Sequence, residues 1–199
     1  GAGGATKGET VIGGGVSEPA LGGIRVLALE QAAAGPFATH LLADMGAEVL
    51  KIERPGTGDV SRGWDGAVRG ISSAYAWLNR RKRSVAVDAA KPAGREVLLR
   101  LVARSDVFLC NFAPGVAERL GLGYEALRAR NPRLVYCALT GYGLDGPYRD
   151  AKAYDLLIQG EAGVIATTGY PDAPAKVGVP ISDIAAGMYA ALGITLALY

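Results

Sequence analysis

Histidine and cysteine are nearly absent from this sequence. Its 199 residues hold one His and two Cys. That supply cannot build a His/Cys zinc site, and two cysteines in so long a chain do not read as a secreted disulfide framework. A Ser-His-Asp triad would have to use His40. An excess of one charge is missing too. The 21 Lys+Arg and 19 Asp+Glu leave a net charge of +2, which argues against a dedicated nucleic-acid binder. The N-terminal stretch has no apolar run behind a basic start, so it does not read as a signal peptide. No Walker phosphate loop occurs. The first strand-to-helix turn, Glu30-Gln31-Ala32-Ala33-Ala34-Gly35-Pro36, lacks the Gly-x-Gly-x-x-Gly needed for close approach to a pyrophosphate. Gly121 and Gly123 lie between helical pieces, not after a strand. A nicotinamide dehydrogenase of standard design is therefore disfavoured.

What is present is apolar and periodic. Half of the residues are hydrophobic and 29 are glycine. At roughly 150 residues per domain, the length suits one domain plus a tail. Such a domain buries about 70% of the surface its unfolded chain exposes and needs no disulfide scaffold. Residues 1–22 are glycine-rich with scattered polar residues, and are expected to form a flexible leader. From Gly23 onward, short β-branched runs alternate with helical stretches. Strands are expected at 24–29, 48–53, 84–88, 106–110 and 134–139. Helices are expected from Gly35-Pro36 to about Gly46, at 92–104, 116–120, 124–130 and 154–161, and over 184–199. Phe37, Leu41 and Met45 would form the apolar face of the first helix, and Val97, Leu98, Leu101 and Val102 that of the next. This alternation implies a Rossmann-like, doubly wound α/β domain with a mostly parallel sheet over residues 23–199. The uncharged stretch Ile184–Tyr199 falls short of the about 20 residues a spanning helix needs, so it is read as a core helix and no membrane partner is expected.

Sheets of this kind bind ligands beyond the carboxyl ends of their strands. Chemistry is therefore sought in the loops 30–35, 54–64, 111–115 and 140–155. The run Arg80-Arg81-Lys82-Arg83 is a solvated face, a nuclear-localisation-like run or, because guanidinium groups bind phosphates bidentately, an anion site for a nucleotide-bearing ligand. His40 and Asp44, four residues apart, are expected to form a surface pair. Cys110 and Cys137 read as small buried hydrophobes. Tyr142, Tyr148 and Tyr154 either anchor their loop or wall a ligand cleft. Asp155 begins a helix, where the dipole favours an acid. Asp183, before the long uncharged helix, is either a cap or first-turn acid or a nucleophile able to form an acyl intermediate.

An ordered set of short stretches carries a resemblance. They are Ala34-Gly35-Pro36-Phe37-Ala38, Leu42-Ala43-Asp44-Met45-Gly46-Ala47-Glu48-Val49, and Lys51-Ile52-Glu53-Arg54-Pro55. Gly58-Asp59 with Arg62-Gly63-Trp64, Lys82-Arg83-Ser84, and Asn111-Phe112 with Pro114-Gly115 come next. Arg119-Leu120-Gly121, Asn131-Pro132-Arg133, Gly146-Pro147, Tyr154-Asp155 and Gly178-Val179-Pro180-Ile181-Ser182-Asp183 complete it. Together they resemble the N-terminal part of the class III CoA-transferases, the CaiB/BaiF family that includes formyl-CoA transferases, over residues 22–199.

The resemblance implies transfer of CoA from an acyl-CoA to a free carboxylic acid through an aspartyl mixed anhydride and an aspartyl-CoA thioester. Asp183 matches the nucleophile. Asp155 and Tyr154 match supporting positions. Arg54, Asn111, Phe112, Arg119, Lys152 and Tyr154 match positions lining the CoA site, with Arg54 and Arg119 serving phosphates. CoA and acyl-CoA would be substrates, with no permanently bound cofactor, no metal and no nucleic-acid partner. Family members are about twice as long, so residues 23–199 would be a truncated large domain without its second domain. The full-length protein would form an interlocked homodimer in the cytoplasm. Some of the transferases place Gln directly before the Ala-Gly-Pro match, where this chain has Ala33, with Gln31 two residues earlier. The family also holds 2-methylacyl-CoA racemases, which carry a His where Tyr154 stands. A Tyr, with a reference pKa of about 10, is a poor base at neutral pH and favours transfer. A non-catalytic CoA-binding fragment is the remaining alternative.

Overall fold

The structure, a computed structural model, describes residues 18–199. Five strands form one parallel sheet: β1 (Arg25–Leu29), β2 (Glu48–Glu53), β3 (Arg83–Ala86), β4 (Val107–Cys110) and β5 (Val135–Ala138). Their spatial order is β3-β2-β1-β4-β5. The chain winds outward one way from β1 and returns beside it to wind the other way. The doubly wound Rossmann-like α/β architecture expected from the sequence is the one observed.

Alternation along each strand explains why both faces are covered. Val26, Ala28, Val107 and Leu109 belong to one apolar cluster, while Leu27, Leu29, Phe108 and Cys110 belong to the other. Successive side chains point to opposite faces, so a strand apolar at every position is buried on both. Helix α1 (Ala34–Asp44) and helix α7 (Ile181–Leu198) cover the first face through Ala38, Leu42, Ala191 and Ile194. Helices α3 (Pro92–Val102), α4 (Val116–Arg119) and α5 (Tyr124–Arg130) cover the second through Leu98, Val102, Ala117 and Leu127. Helix α2 (Ser73–Asn79), capped by the Ser72 hydroxyl, precedes β3. Helix α6 (Asp155–Glu161) leads to a small antiparallel hairpin, β6 (Gly169–Tyr170) and β7 (Ala173–Pro174), and then to α7.

Helices α1 and α7 approach closely because position 187 has no side chain. A Cβ there would stand 2.8 Å from the Ala34 carbonyl oxygen and 3.1 Å from the Ala38 nitrogen. This contact fixes the start of α1 one turn beyond Asp183.

Several local expectations change. The buried side of α1 carries Ala38, Thr39, His40, Leu42 and Ala43, while Met45 is exposed. The Phe37-Leu41-Met45 stripe misleads because α1 is flanked by the sheet, α7 and α2, so small residues mark its contacts. His40 is buried, not a surface residue, although it does lie 3.3 Å from Asp44. On α3 the buried stripe is Leu98 and Val102, with Val97 exposed. Helix α7 begins three residues before its expected start. It buries only Gly187, Ala191 and Ile194, and exposes Met188, Tyr189, Leu192 and Leu196. It is long and apolar enough, by length and composition, to cross a membrane. Of the expected leader 1–22, residues 1–17 lie outside the described residues. Within the remainder, Leu21 is buried in the α1–α7 cluster and its amide donates to the Met45 carbonyl at 2.9 Å.

Candidate active site

The winding reverses between β1 and β4, and the loops leaving their carboxyl ends diverge there. Such a switch point is where open α/β sheets form their ligand crevice. Asn111, just past β4, clasps the two sides. Its amide group donates to the Gln31 carbonyl at 2.8 Å, and its carbonyl accepts the Gln31 N–H at 2.9 Å. A side chain on Gly35 would meet Asn111 Cγ at 2.9 Å and Glu30 Cβ at 3.1 Å, so the turn closes only with glycine there.

Beyond this clasp lies a cleft of about 540 Å³. Its walls are Gln31–Ala34, Asn111–Pro114, Leu139–Gly141, Arg149–Tyr154 and the start of α7 at Ser182 and Asp183. Five of the expected site residues therefore meet in one cavity: Asn111, Phe112, Lys152, Tyr154 and Asp183. Tyr154 is 72% exposed at its edge. A second cavity of about 340 Å³ lies behind Phe112, Ala113, Pro114 and Thr140, lined also by Cys110, Glu118, Tyr124 and Tyr136. Arg54, exposed after β2, and Arg119, at the end of α4, lie outside both cavities. Asp155 stands behind the wall, not in it.

Asp183 is the third residue of α7 and half-buried. Burial, then the nearby charge of Asp155, pushes its carboxyl up to about 6. Asp155 is the first residue of α6, yet it works on the other helix. Its Oδ1 accepts the N–H groups of Ser182 at 2.8 Å and Asp183 at 3.4 Å, replacing the cap that Pro180 cannot supply. Its Oδ2 accepts from the fully buried Gln159, whose own carbonyl accepts the Val177 N–H. The remaining first-turn amides of α7 are taken as well: Ile181 donates to Val179 and Ile184 to Pro180.

The four-cation run does not form an anion site of its own. Arg80 and Arg81 lie at 2.6 and 3.6 Å from Asp44. Lys82 is turned inward, donating to Glu30 and to the Pro36 carbonyl, both at 2.8 Å. Burial pulls its ammonium down to about 8, against the opposing pull of Glu30.

Lys82 belongs to a buried charge network that sequence reasoning missed. Lys51, fully buried in β2, lies 2.6 Å from Asp59 and 3.5 Å from Glu30. Thr39 of α1 donates to Glu30. Asp59 Oδ1 accepts from the amides of Ala32 at 3.0 Å and Ser61 at 2.8 Å. Burial opposes the ionised form of Asp59, but the Lys51 charge and these donors hold its carboxyl below its usual range. Next to it, Glu53 accepts the Asp59 amide and hydrogen bonds from Arg62, Tyr75 and Ser84. These hold it down to about 2 despite burial. A lysine between two apolar residues inside a strand, Leu50-Lys51-Ile52, was the available signal, because an ion buried there must be paired. Among the described residues, no group of three or more His, Cys, Asp or Glu is placed to hold a metal ion.

The family model CoA-transferase family III matches residues 21–199. The chain is 44% identical over 191 residues to a succinate–glutarate CoA-transferase of Agrobacterium fabrum, covering 91% of this chain and 47% of that protein. It is 42% identical over 182 residues to a formyl-CoA:oxalate CoA-transferase of a Bradyrhizobium species, covering 90% and 43%. Among solved structures, a CaiB/BaiF family protein from Brucella suis superimposes with a TM-score of 0.88 at 41% identity, over 92% of this chain and 50% of that one. The chain thus spans about half the length of the curated relatives it matches.

Proposed function

Because the chain belongs to CoA-transferase family III, we propose that its cleft moves CoA from an acyl-CoA to a free carboxylic acid, with Asp183 as nucleophile. The observation that carries this reading is Asp183 itself: a half-buried carboxylate at the start of α7, lining the larger of the two cavities at the switch-point crevice. An aspartate can split one acyl exchange into easier covalent steps.

A carboxylate oxygen of Asp183 attacks the thioester carbonyl carbon. The carbon–sulfur bond breaks, CoA leaves as thiolate, and a mixed anhydride remains on Asp183. The thiolate then attacks the aspartyl carbonyl, releasing the donor acid and leaving an aspartyl-CoA thioester. The acceptor carboxylate attacks that thioester, and the freed thiolate takes the acceptor's acyl group, regenerating Asp183. Each tetrahedral stage needs hydrogen-bond donors at the oxyanion. The α7 amides are already bonded, so the donors must come from elsewhere. Ala33 and Ala34 line the same cleft at the electropositive N-terminal end of α1, and their amides fit this role.

Asp155 holds the first turn of α7 and thereby the direction of Asp183, as a positioning residue. Asn111 acts first as the crevice clasp, with Phe112 beside it as an apolar wall. Lys152 and Tyr154 border the thioester end, while Arg54 and Arg119 meet phosphates reaching beyond the cleft. The relatives' names favour short dicarboxylic acids as substrates. Acyl-CoA and carboxylate come as substrates to a full-length cytoplasmic homodimer on this reading.

The test is a panel of short dicarboxylic acids offered to the full-length protein with succinyl-CoA or formyl-CoA. CoA exchange that is abolished in Asp183→Ala supports the reading. Deuterium wash-in at the α-carbon of an acyl-CoA without exchange would favour racemase chemistry. CoA binding without either reaction would leave a binding fragment.

A further inference from the structure

The buried charge network touches the cleft at one place. Ala32 has a left-handed backbone, with φ of 62°, which an alanine rarely adopts unaided. Its amide donates to Asp59 Oδ1, while Asp59 Oδ2 is held by Lys51 at 2.6 Å. Neither charged side chain lines the cleft, but Ala32 does, and so do Ala33 and Ala34 after it. We propose that the buried Lys51–Asp59 pair is a positioning device for the Ala32–Ala34 wall, presenting the carboxylate oxygen that holds Ala32 in its left-handed turn. The turn decides where α1 begins, and therefore where the amides of Ala33 and Ala34 stand in the cleft that Asp183 also lines.

The arrangement is costly to build for stability alone. Two ions taken fully out of water recover their hydration only with good geometry, and an apolar pair of similar volume often serves stability as well. The pair therefore has a use beyond cohesion, and the hydrogen bond to a strained backbone at the cleft supplies one. Lys51 neutralises Asp59 inside the fold. Ser61, whose amide and hydroxyl both donate to Oδ1, keeps the carboxylate from turning away.

Two double variants separate position from cohesion. Lys51→Met/Asp59→Asn removes both charges and keeps an acceptor oxygen for Ala32. Lys51→Met/Asp59→Leu removes the acceptor too, and Lys51→Met/Asp59→Ala replaces it where the leucine variant does not fold. Amide hydrogen exchange is read at Ala32 and at the strand residues Leu27, Val49 and Leu109. The Asn variant is expected to keep Ala32 protected within about threefold. The Leu or Ala variant is expected to lose protection there by more than tenfold, with the strands unchanged. The kinetic arm rests on the transferase reading. In the full-length protein, the Leu or Ala variant should lose at least tenfold in kcat with KM for acyl-CoA held within about threefold, the pattern of an interaction felt in the transition state. Equal exchange at Ala32 in the variants would overturn the proposal, as would uniform loss of protection across the sheet. A rise in KM at unchanged kcat would do the same. Inactivity of the unaltered protein, with the exchange pattern as expected, would count against the transferase reading alone.

Discussion

Asp155 Oδ1 accepts the backbone N–H of Ser182 at 2.8 Å, so a residue of α6 caps the helix that carries Asp183. The two carboxylates are coupled twice, through this cap and through charge. Burial and the charge of Asp155 raise Asp183 to about 6. Nucleophilic attack needs the ionised form, so kcat/KM for acyl transfer in the full-length protein should rise with pH through about 6. A flat profile between pH 5 and 7 would contradict this assignment.

Asp155→Asn keeps an acceptor for the α7 amides and removes the like charge. The acidic limb of the pH profile should then move toward lower pH, because one of the two causes of the raised value is gone. Loss of the Gln159 contact to Oδ2 is expected to lower kcat as well. Carbon-13 titration of the Asp183 carboxyl would check the shift directly.

The same raised value makes a stability prediction. Between the ordinary carboxyl range and about pH 6, the folded protein holds a proton on Asp183 that the unfolded chain has released. Folding stability therefore falls as pH rises through that window and stays lower above it. Asp183→Asn should stabilise the protein at pH 7.5 by about 1–2 kcal/mol after allowance for solvent screening, with the gain vanishing near pH 4. Urea unfolding at the two pH values decides it.

Glu53 behaves in the opposite sense. Held down to about 2, it contributes stability above the ordinary carboxyl range, and that contribution is lost as pH falls toward 2. Glu53→Gln should cost about 2–4 kcal/mol at neutral pH, because Arg62 and Tyr75 lose a shared anionic acceptor. It should also flatten acid unfolding. A variant as stable as the parent at pH 7 would show that Arg62 is satisfied by solvent.

Alanine normally improves a helix interior over glycine by up to about 1 kcal/mol. At Gly187 the sign should reverse. The new methyl would press on backbone atoms of Ala34 and Ala38, which cannot swing aside. Gly187→Ala is expected to cost about 1–3 kcal/mol by overpacking, measurable as a lower midpoint of thermal or urea unfolding.

The sheet was legible because its strands are short apolar runs punctuated by glycine, proline and charged helix faces. The loops at their carboxyl ends followed from topology, and Asp183 from the residues around it together with the family resemblance. The buried faces of the helices were less legible. In α1 the close-packed side is Ala38, Thr39, Leu42 and Ala43, which periodicity weighted toward large residues passes over. The Glu30-Lys51-Asp59-Lys82 network was hidden because its members come from two strand ends, the interior of β2 and a loop, and all but Lys51 read alone as ordinary surface charges. Position in the sheet, not residue type, turns them inward. Asn111 was expected at the CoA site, and its geometry adds the clasp on Gln31, a contact between loops far apart in sequence.

The contact of Gly187 with Ala34 joins two ends of the described chain. Its consequence lies in time. A chain emerging residue by residue can pair its central strands early, but α1 must wait for α7. Until then the side of α1 that will meet α7 has no protein partner, and the cleft lacks the wall that carries Asp183. Closure of so long a loop is a late and slow event in folding. The crevice therefore cannot close before α7 has been made, and slowing the arrival of α7 should lengthen the period in which the nascent chain is open to aggregation.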